Sequence, residues 1–171
     1  RVFARLAGDF DQINIMTYAL AGPYPGWITW HNGAVYDAGR RFPNGQNPLP
    51  STDGLVDSFV AAGVPRQKLG IGLSFYGYVW SGADVSRPGQ TWDNPPAMKS
   101  IPYYVLADAY GIREYDYSHP AYRWDDEAQA AYLSVAGPHP IGAEFISFDN
   151  EVSARKKALY IKEKGLGGMM I

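Results

Sequence analysis

The sequence predicts an α/β fold with parallel strands, and three observations carry that prediction. A strand-like segment at 12–18, a helix-like segment at 51–63 and an apolar, glycine-punctuated run at 69–76 follow one another in the order of a βαβ unit. A second helix-like segment at 153–164 leads into another apolar run at 166–171. Between the two units, residues 80–148 lose this rhythm and read as an inserted α+β subdomain.

Taken in order, Arg1-Val2-Phe3-Ala4-Arg5-Leu6 reads as the end of an amphipathic segment, with neither the basic nor the apolar region of a signal peptide, so the start is expected to be a cut. Gln12-Ile13-Asn14-Ile15-Met16-Thr17-Tyr18 is rich in β-branched and aromatic residues and predicts a strand. From 19 to 50, Gly22-Pro23, Pro25-Gly26, Asn32-Gly33 and Asn44-Gly45 interrupt every regular pattern and predict one long loop. Loops beyond about 15 residues are uncommon without a functional reason. This one holds Tyr24, Trp27, Trp30, His31 and Tyr36.

Ser51 or Thr52 can cap the helix that follows, in which Leu55, Val56, Phe59, Val60 and Ala62 share a face and Gly63 gives the stop. The run at 69–76 then pairs parallel to the first strand through a right-handed crossover. In 80–148, prolines separate short pieces rich in Tyr and Trp, with Glu144-Phe145-Ile146-Ser147-Phe148 as the closing strand. Ser153 is expected to cap the last helix, whose Ala154, Ala158, Leu159 and Ile161 line one side until Gly165. Leu166-Gly167-Gly168-Met169-Met170-Ile171 predicts a third parallel strand, and no turn signal follows it, so this end also reads as cut. Such an arc of sheet needs further sheet along its apolar edges.

With 15 Lys+Arg against 17 Asp+Glu in 171 residues and no basic tract, the chain shows no electrostatic footprint for nucleic acid or an anionic membrane. No apolar run approaches the roughly 20 residues of a membrane span. The absence of cysteine excludes disulfides and thiolate metal sites. His31, His119 and His139 lie far apart in sequence and read as solvated loop residues rather than metal ligands. No glycine-rich loop feeds a helix start after Gly167-Gly168, so no phosphate site is expected, and nothing points to a cofactor. Thirteen Tyr and five Trp against 19% charged residues suit a carbohydrate groove, because aromatic rings stack on pyranose faces; core and hinge packing is the other reading of the same rings.

Four segments in this order resemble the glycoside hydrolase family 18 chitinases, which are (β/α)8 barrels. Met16-Thr17-Tyr18 resembles the family's M-T-Y-D at the end of strand six, and Leu69-Gly70-Ile71-Gly72-Leu73-Ser74-Phe75-Tyr76-Gly77 its strand seven. Phe145-Ile146-Ser147-Phe148-Asp149-Asn150 resembles the F-I-S-Y-D-D that returns from the family's inserted subdomain, and Tyr160 to Ile171 resembles the approach to strand eight. The resemblance implies a partial (β/α)8 barrel, strands six to eight, formed by 1–79 and 149–171, with 80–148 as the α+β insertion. The family's acid motif, D-x-x-D-x-D-x-E, has no counterpart in this sequence.

The resemblance also implies a chemistry. In this family the sugar's own N-acetyl oxygen attacks C1 while one Glu protonates the leaving oxygen, so the protein must hold the acetamido group. Tyr18 matches the tyrosine that donates to the acetamido carbonyl; as an isolated residue it would read as core. Met16 would floor the acetamido pocket, and Tyr24 stands where relatives place a stacking Trp. Trp27 and Trp30 can extend that platform or pin the loop down. Tyr76, at a strand end, can face the same cleft, and Arg123 can reach the sugar from above or lie solvated beside Asp126. The Asp of M-T-Y-D is Ala19 here, and Tyr78 stands where many relatives carry Arg.

These implications give three expectations. The first is a fragment of a secreted, chitin-cleaving enzyme that binds N-acetylglucosamine polymers and is inactive alone. The second is a chitinase-like lectin, favoured by Ala19. The third is a half-barrel that associates with the missing N-terminal half or with itself.

Overall fold

The computed structural model describes residues 2–113, 115–135 and 145–171. In chain order these form α1 (Val2–Asp9), β1 (Ile13–Ile15), α2 (Thr52–Ala61), β2 (Leu69–Gly72), β3 (Tyr76–Ser81), β4 (Ala97–Pro102), α3 (Tyr103–Tyr110), β5 (Tyr122–Asp125), β6 (Ala130–Ser134), β7 (Phe145–Phe148), α4 (Glu151–Lys164) and β8 (Gly168–Met170). Among the described residues there are two sheets: a parallel one in the order β1-β2-β8 and an antiparallel one in the order β4-β3-β7-β6-β5.

The parallel sheet is built as the apolar patterning requires. Ile13, Ile15, Leu69 and Ile71 share one face and pack under α2 and α4 with Val56, Phe59, Val60 and Tyr160. Tyr160 and Lys164 from α4 both reach Asp53 on α2, at 2.8 Å each, which ties the two helices together. Ser51 caps α2 through its side chain on Gly54 N, as its position suggests. The cap of α4 differs from the expectation. Asn150 is the cap, and Ser153 sits three residues inside the helix, returning its hydroxyl to the Asn150 N–H in a capping box. Asn150 Oδ1 accepts from Ser153 N and Ser153 Oγ accepts from Asn150 N, so two free backbone donors are satisfied where one cap alone would satisfy one.

The first predicted strand is shorter than its composition suggests. β1 stops at Ile15, and the Thr17 side chain continues the pairing, donating to Gly72 O and accepting from Gly72 N at 3.0 Å. The run at 69–76 is likewise divided: β2 ends at Gly72 and β3 starts at Tyr76, so the boundary expected at 79/80 falls inside β3. Residues 1, 114 and 136–144, with His139 and the Glu144 expected to open the closing strand, lie outside the described residues.

The antiparallel sheet is covered on both faces. Val79, Leu133, Ile146 and Phe148 pack against Leu106, Ala107 and Tyr110 of α3. Trp80, Phe145 and Ala130 pack against Ile28, Trp30 and Leu49 of the 19–50 loop. The loop lacks regular structure and yet forms a layer of the core.

Candidate active site

The ends of β1, β2 and β3 converge on a group of phenols. Tyr18 lies three residues past β1, its ring over Gly72, where a Cβ would fall 2.4 Å from the ring. A side chain at 72 and the Tyr18 ring cannot share that space, so glycine here is a requirement of the site. The Tyr18 ring meets Tyr76 edge to face at 6.1 Å, and Tyr76 is 5.8 Å from Tyr78. Burial, with the neighbouring Tyr78 and Tyr18, pushes the Tyr76 phenol up to about 12, so it remains a protonated donor at neutral pH. Tyr24 and Trp27 form a second edge-to-face pair at 5.2 Å, and Trp27 meets Phe42 at 4.9 Å. Met16 and Tyr24 are exposed, at 67% and 56%.

Below the phenols lies a buried polar network. The Asn32 side chain accepts from Ala19 N at 3.0 Å and donates to Ser74 Oγ at 2.9 Å and Tyr76 O at 3.2 Å. Its backbone completes the clamp, with N donating to Ser147 Oγ and O accepting from Leu20 N. Ser74 passes the network to Asp149, whose Oδ2 also receives Lys157 Nζ at 2.7 Å, while Ser153 donates to Oδ1. Lys157 is fully buried and Asp149 nearly so. Every polar group in this chain of contacts is partnered, which is what a buried ion pair needs to be tolerated.

His31 is buried rather than solvated. Its Nε2 is 3.0 Å from Asp125 Oδ2 and its Nδ1 is 3.3 Å from Ser147 Oγ. Burial holds His31 below its ordinary 6.5 despite the carboxylate, so the ring is neutral at pH 7, with Nε2–H donating to Asp125. Burial opposes ionisation of Asp125, but the hydrogen bonds from His31 and Ala128 N bring it down to about 2. Ser147, His31 and Asp125 fall in the order of a nucleophilic triad. Ser147 is 1% exposed and its oxygen already accepts from Asn32 N, so the arrangement fastens the loop to β5 and β7 and leaves no room for a substrate.

Of the residues expected at the site, Tyr18 and Tyr76 are brought together, Met16 stands exposed just before them, and Tyr24 and Trp27 pair in the adjoining loop. Trp30 is placed elsewhere. It is fully buried, its indole N–H donates to Pro50 O at 2.8 Å, and Arg40 lies over its ring, so it anchors the loop and offers no stacking surface. Arg123 sits on β5, separated from β3 by β7 and β6, a span of about 14 Å at ordinary strand spacing. Its guanidinium donates to Pro120 O and Tyr122 O. Asn32, Ser74, Asp149, Lys157 and Gly72 were not picked out from the sequence. Asn-Gly in a loop signals a turn, and only the distant partners reveal a clamp.

The family model described as Glycosyl hydrolases family 18 matches residues 2–171. Chitinase A1 of Niallia circulans is 35% identical over 184 residues, covering 98% of this chain and 24% of that protein. Chitinase B of Serratia marcescens is 29% identical, covering 98% of this chain and 40% of that protein. Among solved structures, a family 18 N-acetylglucosaminidase from Paenibacillus barengoltzii superposes with a TM-score of 0.73 at 30% identity, over 98% of this chain and 45% of that one. The chain thus spans about a quarter to two-fifths of the length of these curated relatives.

Proposed function

Since this chain belongs to glycosyl hydrolase family 18, we propose that it supplies the sugar-holding side of a chitin-binding site in a secreted protein. In this reading the parallel sheet is an arc of a (β/α)8 barrel, and the antiparallel sheet with α3 is the inserted subdomain. The observation that carries the reading is the Tyr18–Tyr76 pair, with Tyr18 seated on Gly72, beyond the carboxyl ends of parallel strands, where barrel enzymes place their sites.

Each residue then has a defined task. Tyr18 donates its phenol to the acetamido carbonyl of the sugar at the cleavage point, which holds that oxygen toward C1 and stabilises the charge that develops as it attacks. Tyr76 and Tyr78 offer further donors, and Met16 floors the pocket. Tyr24 and Trp27 stack on the sugars beyond. Proton delivery to the leaving oxygen is assigned to an acid outside this sequence, because no D-x-x-D-x-D-x-E run occurs in it.

Titration of the 171-residue chain with the N-acetylglucosamine tetramer, followed by the five Trp indole N–H resonances, tests this reading. The Trp27 signal is expected to move and that of buried Trp30 to stay. No released sugar is expected. Turnover that follows the chain through purification would end the proposal of inactivity, and a titration that moves no resonance would end the proposal of binding.

Ala19 favours a second reading, a chitinase-like lectin. It is exposed beside Tyr18 and replaces a carboxylate that the family pattern places there. A lost charge-assisted hydrogen bond is worth about 1.5–3 kcal/mol, roughly 10- to 150-fold in rate. In a completed barrel that retains its acid, Ala19→Asp should raise kcat more than it lowers KM; a barrel whose acid is replaced shows no turnover with either residue.

A further inference from the structure

We propose that Asn32 is a positioning residue that sets the distance between the Tyr18 and Tyr76 rings; the inference rests on the sugar-holding role proposed for that pair. Tyr18 is not held by a ladder of its own sheet, whereas Tyr76 opens the antiparallel ladder opposite Pro102. β1 ends three residues before Tyr18, and Tyr76 is the first residue of β3, beyond the gap that follows β2. Two different sheets therefore carry the two phenols, and the strands alone do not fix their separation.

One buried amide spans that gap. Oδ1 of Asn32 receives the N–H of Ala19, next to Tyr18, and Nδ2 donates to the carbonyl of Tyr76 itself and to Ser74 Oγ two residues earlier. The acceptor end of the side chain thus holds the Tyr18 side and the donor end the Tyr76 side. The amide is itself immobile: Asn32 is fully buried, its N–H is on Ser147 and its C=O on Leu20 N. Only a planar group with an acceptor and a donor at this spacing serves both ends, so a carboxylate of the same shape serves only one.

The Asn/Asp contrast is the test. The ring-to-ring nuclear Overhauser effect between Tyr18 and Tyr76, and the affinity for the N-acetylglucosamine tetramer, are measured in the parent chain, Asn32→Ala and Asn32→Asp. Asn32→Ala is expected to lose the ring contact and about tenfold in affinity, a difference of about 1.4 kcal/mol. Burial and the Asp149 carboxylate beyond Ser74 raise the pKa of a carboxyl placed here, against the opposite pull of Lys157, whose charge is already paired with Asp149. At pH 5.5 the acid O–H of Asn32→Asp can make one of the two donations of the amide, the one to the Tyr76 carbonyl, and at pH 8 the ionised form makes neither. Asn32→Asp should therefore bind more tightly and keep more of the ring contact at pH 5.5 than at pH 8, where it resembles Asn32→Ala, a direction of pH dependence that a general loss of stability would not produce. Should Asn32→Ala not fold, the two pH values of Asn32→Asp decide. An intact ring contact in folded Asn32→Ala, or in Asn32→Asp at pH 8, overturns the proposal. A parent chain that fails to bind the tetramer counts against the sugar-holding role, while the ring contact still decides the role of Asn32.

Discussion

Ala19 stands at φ 57°, in the left-handed region, where an alanine costs roughly 1–2 kcal/mol and where Gly, Asn and Asp are tolerated. The turn is retained because Asn32 holds the Ala19 N–H and the Leu20 N–H in place. Ala19→Gly should relieve that strain at some cost in unfolded-chain entropy, for a net gain of about 0.5–1 kcal/mol in chemical unfolding; a loss of stability would mean that the turn is not left-handed. Gly72 shows the opposite balance. A methyl group there meets the edge of the Tyr18 ring, which can swing aside, and the Ile15 carbonyl at 3.3 Å, which must give slightly, so Gly72→Ala should lower the melting temperature only modestly. The displaced phenol should cost about tenfold in tetramer affinity, near 1.4 kcal/mol, measured by calorimetric titration. A variant that binds like the parent would remove Tyr18 from the sugar site.

At the scale of elements, the 19–50 loop behaves as a fastened layer whose attachment depends on pH. His31 has its folded pKa held below the 6.5 of the unfolded chain, so below about pH 6.5 the unfolded state binds more protons and stability falls as pH falls. Asp125 acts in a second window, from 3.8 down to about 2, where protonating the carboxylate again favours unfolding. Denaturation midpoints measured from pH 8 to pH 3 should therefore decline in two stages, and His31→Gln should flatten the upper one. The sequence made α2, the extent of α4 and the order of the parallel strands legible because local signals carry them: Ser51 before a one-faced apolar helix, Gly165 as the stop of α4, and β-rich runs between. The apolar face expected of α4 is not the buried one, since Leu159 is exposed and Ser153, Lys157 and Tyr160 face inward. The sequence left Trp30 between platform and anchor and read His31 as solvated, whereas both are buried. Burial of a loop residue is decided by what packs over it, here β6 and β7 from more than a hundred residues onward. The phenol pair was legible only through the family resemblance, since Tyr18 alone reads as core, and the Asp149–Lys157 pair was hidden because a helix lysine ordinarily faces solvent.

For the whole molecule, that ion pair and the open sheet are the two quantities that decide whether the chain stands alone. Lys157→Ala leaves Asp149 buried beside Ser74 and Ser153 without its cation, and truncating one partner of a buried pair costs about 3–5 kcal/mol, a large share of a domain's stability. The parallel sheet has the opposite difficulty. Among the described residues nothing pairs with the outer edges of β1 and β8, and Met16, Phe3, Leu6 and Phe10 are exposed at 67%, 47%, 37% and 54%. Unpaired strand edges beside apolar surface recruit another chain unless charge or proline blocks them, and neither β1 nor β8 carries a charge or a proline. The 171-residue chain on its own should accordingly associate at micromolar concentration, with a mass in light scattering that rises with concentration. Placing charge on the apolar face, as in Leu6→Lys with Phe10→Lys, should lower that mass without unfolding the chain, since neither side chain belongs to the buried core. A concentration-independent monomer in the parent chain would show that three parallel strands with open edges are sufficient here, and would count against association as the way this sheet is completed.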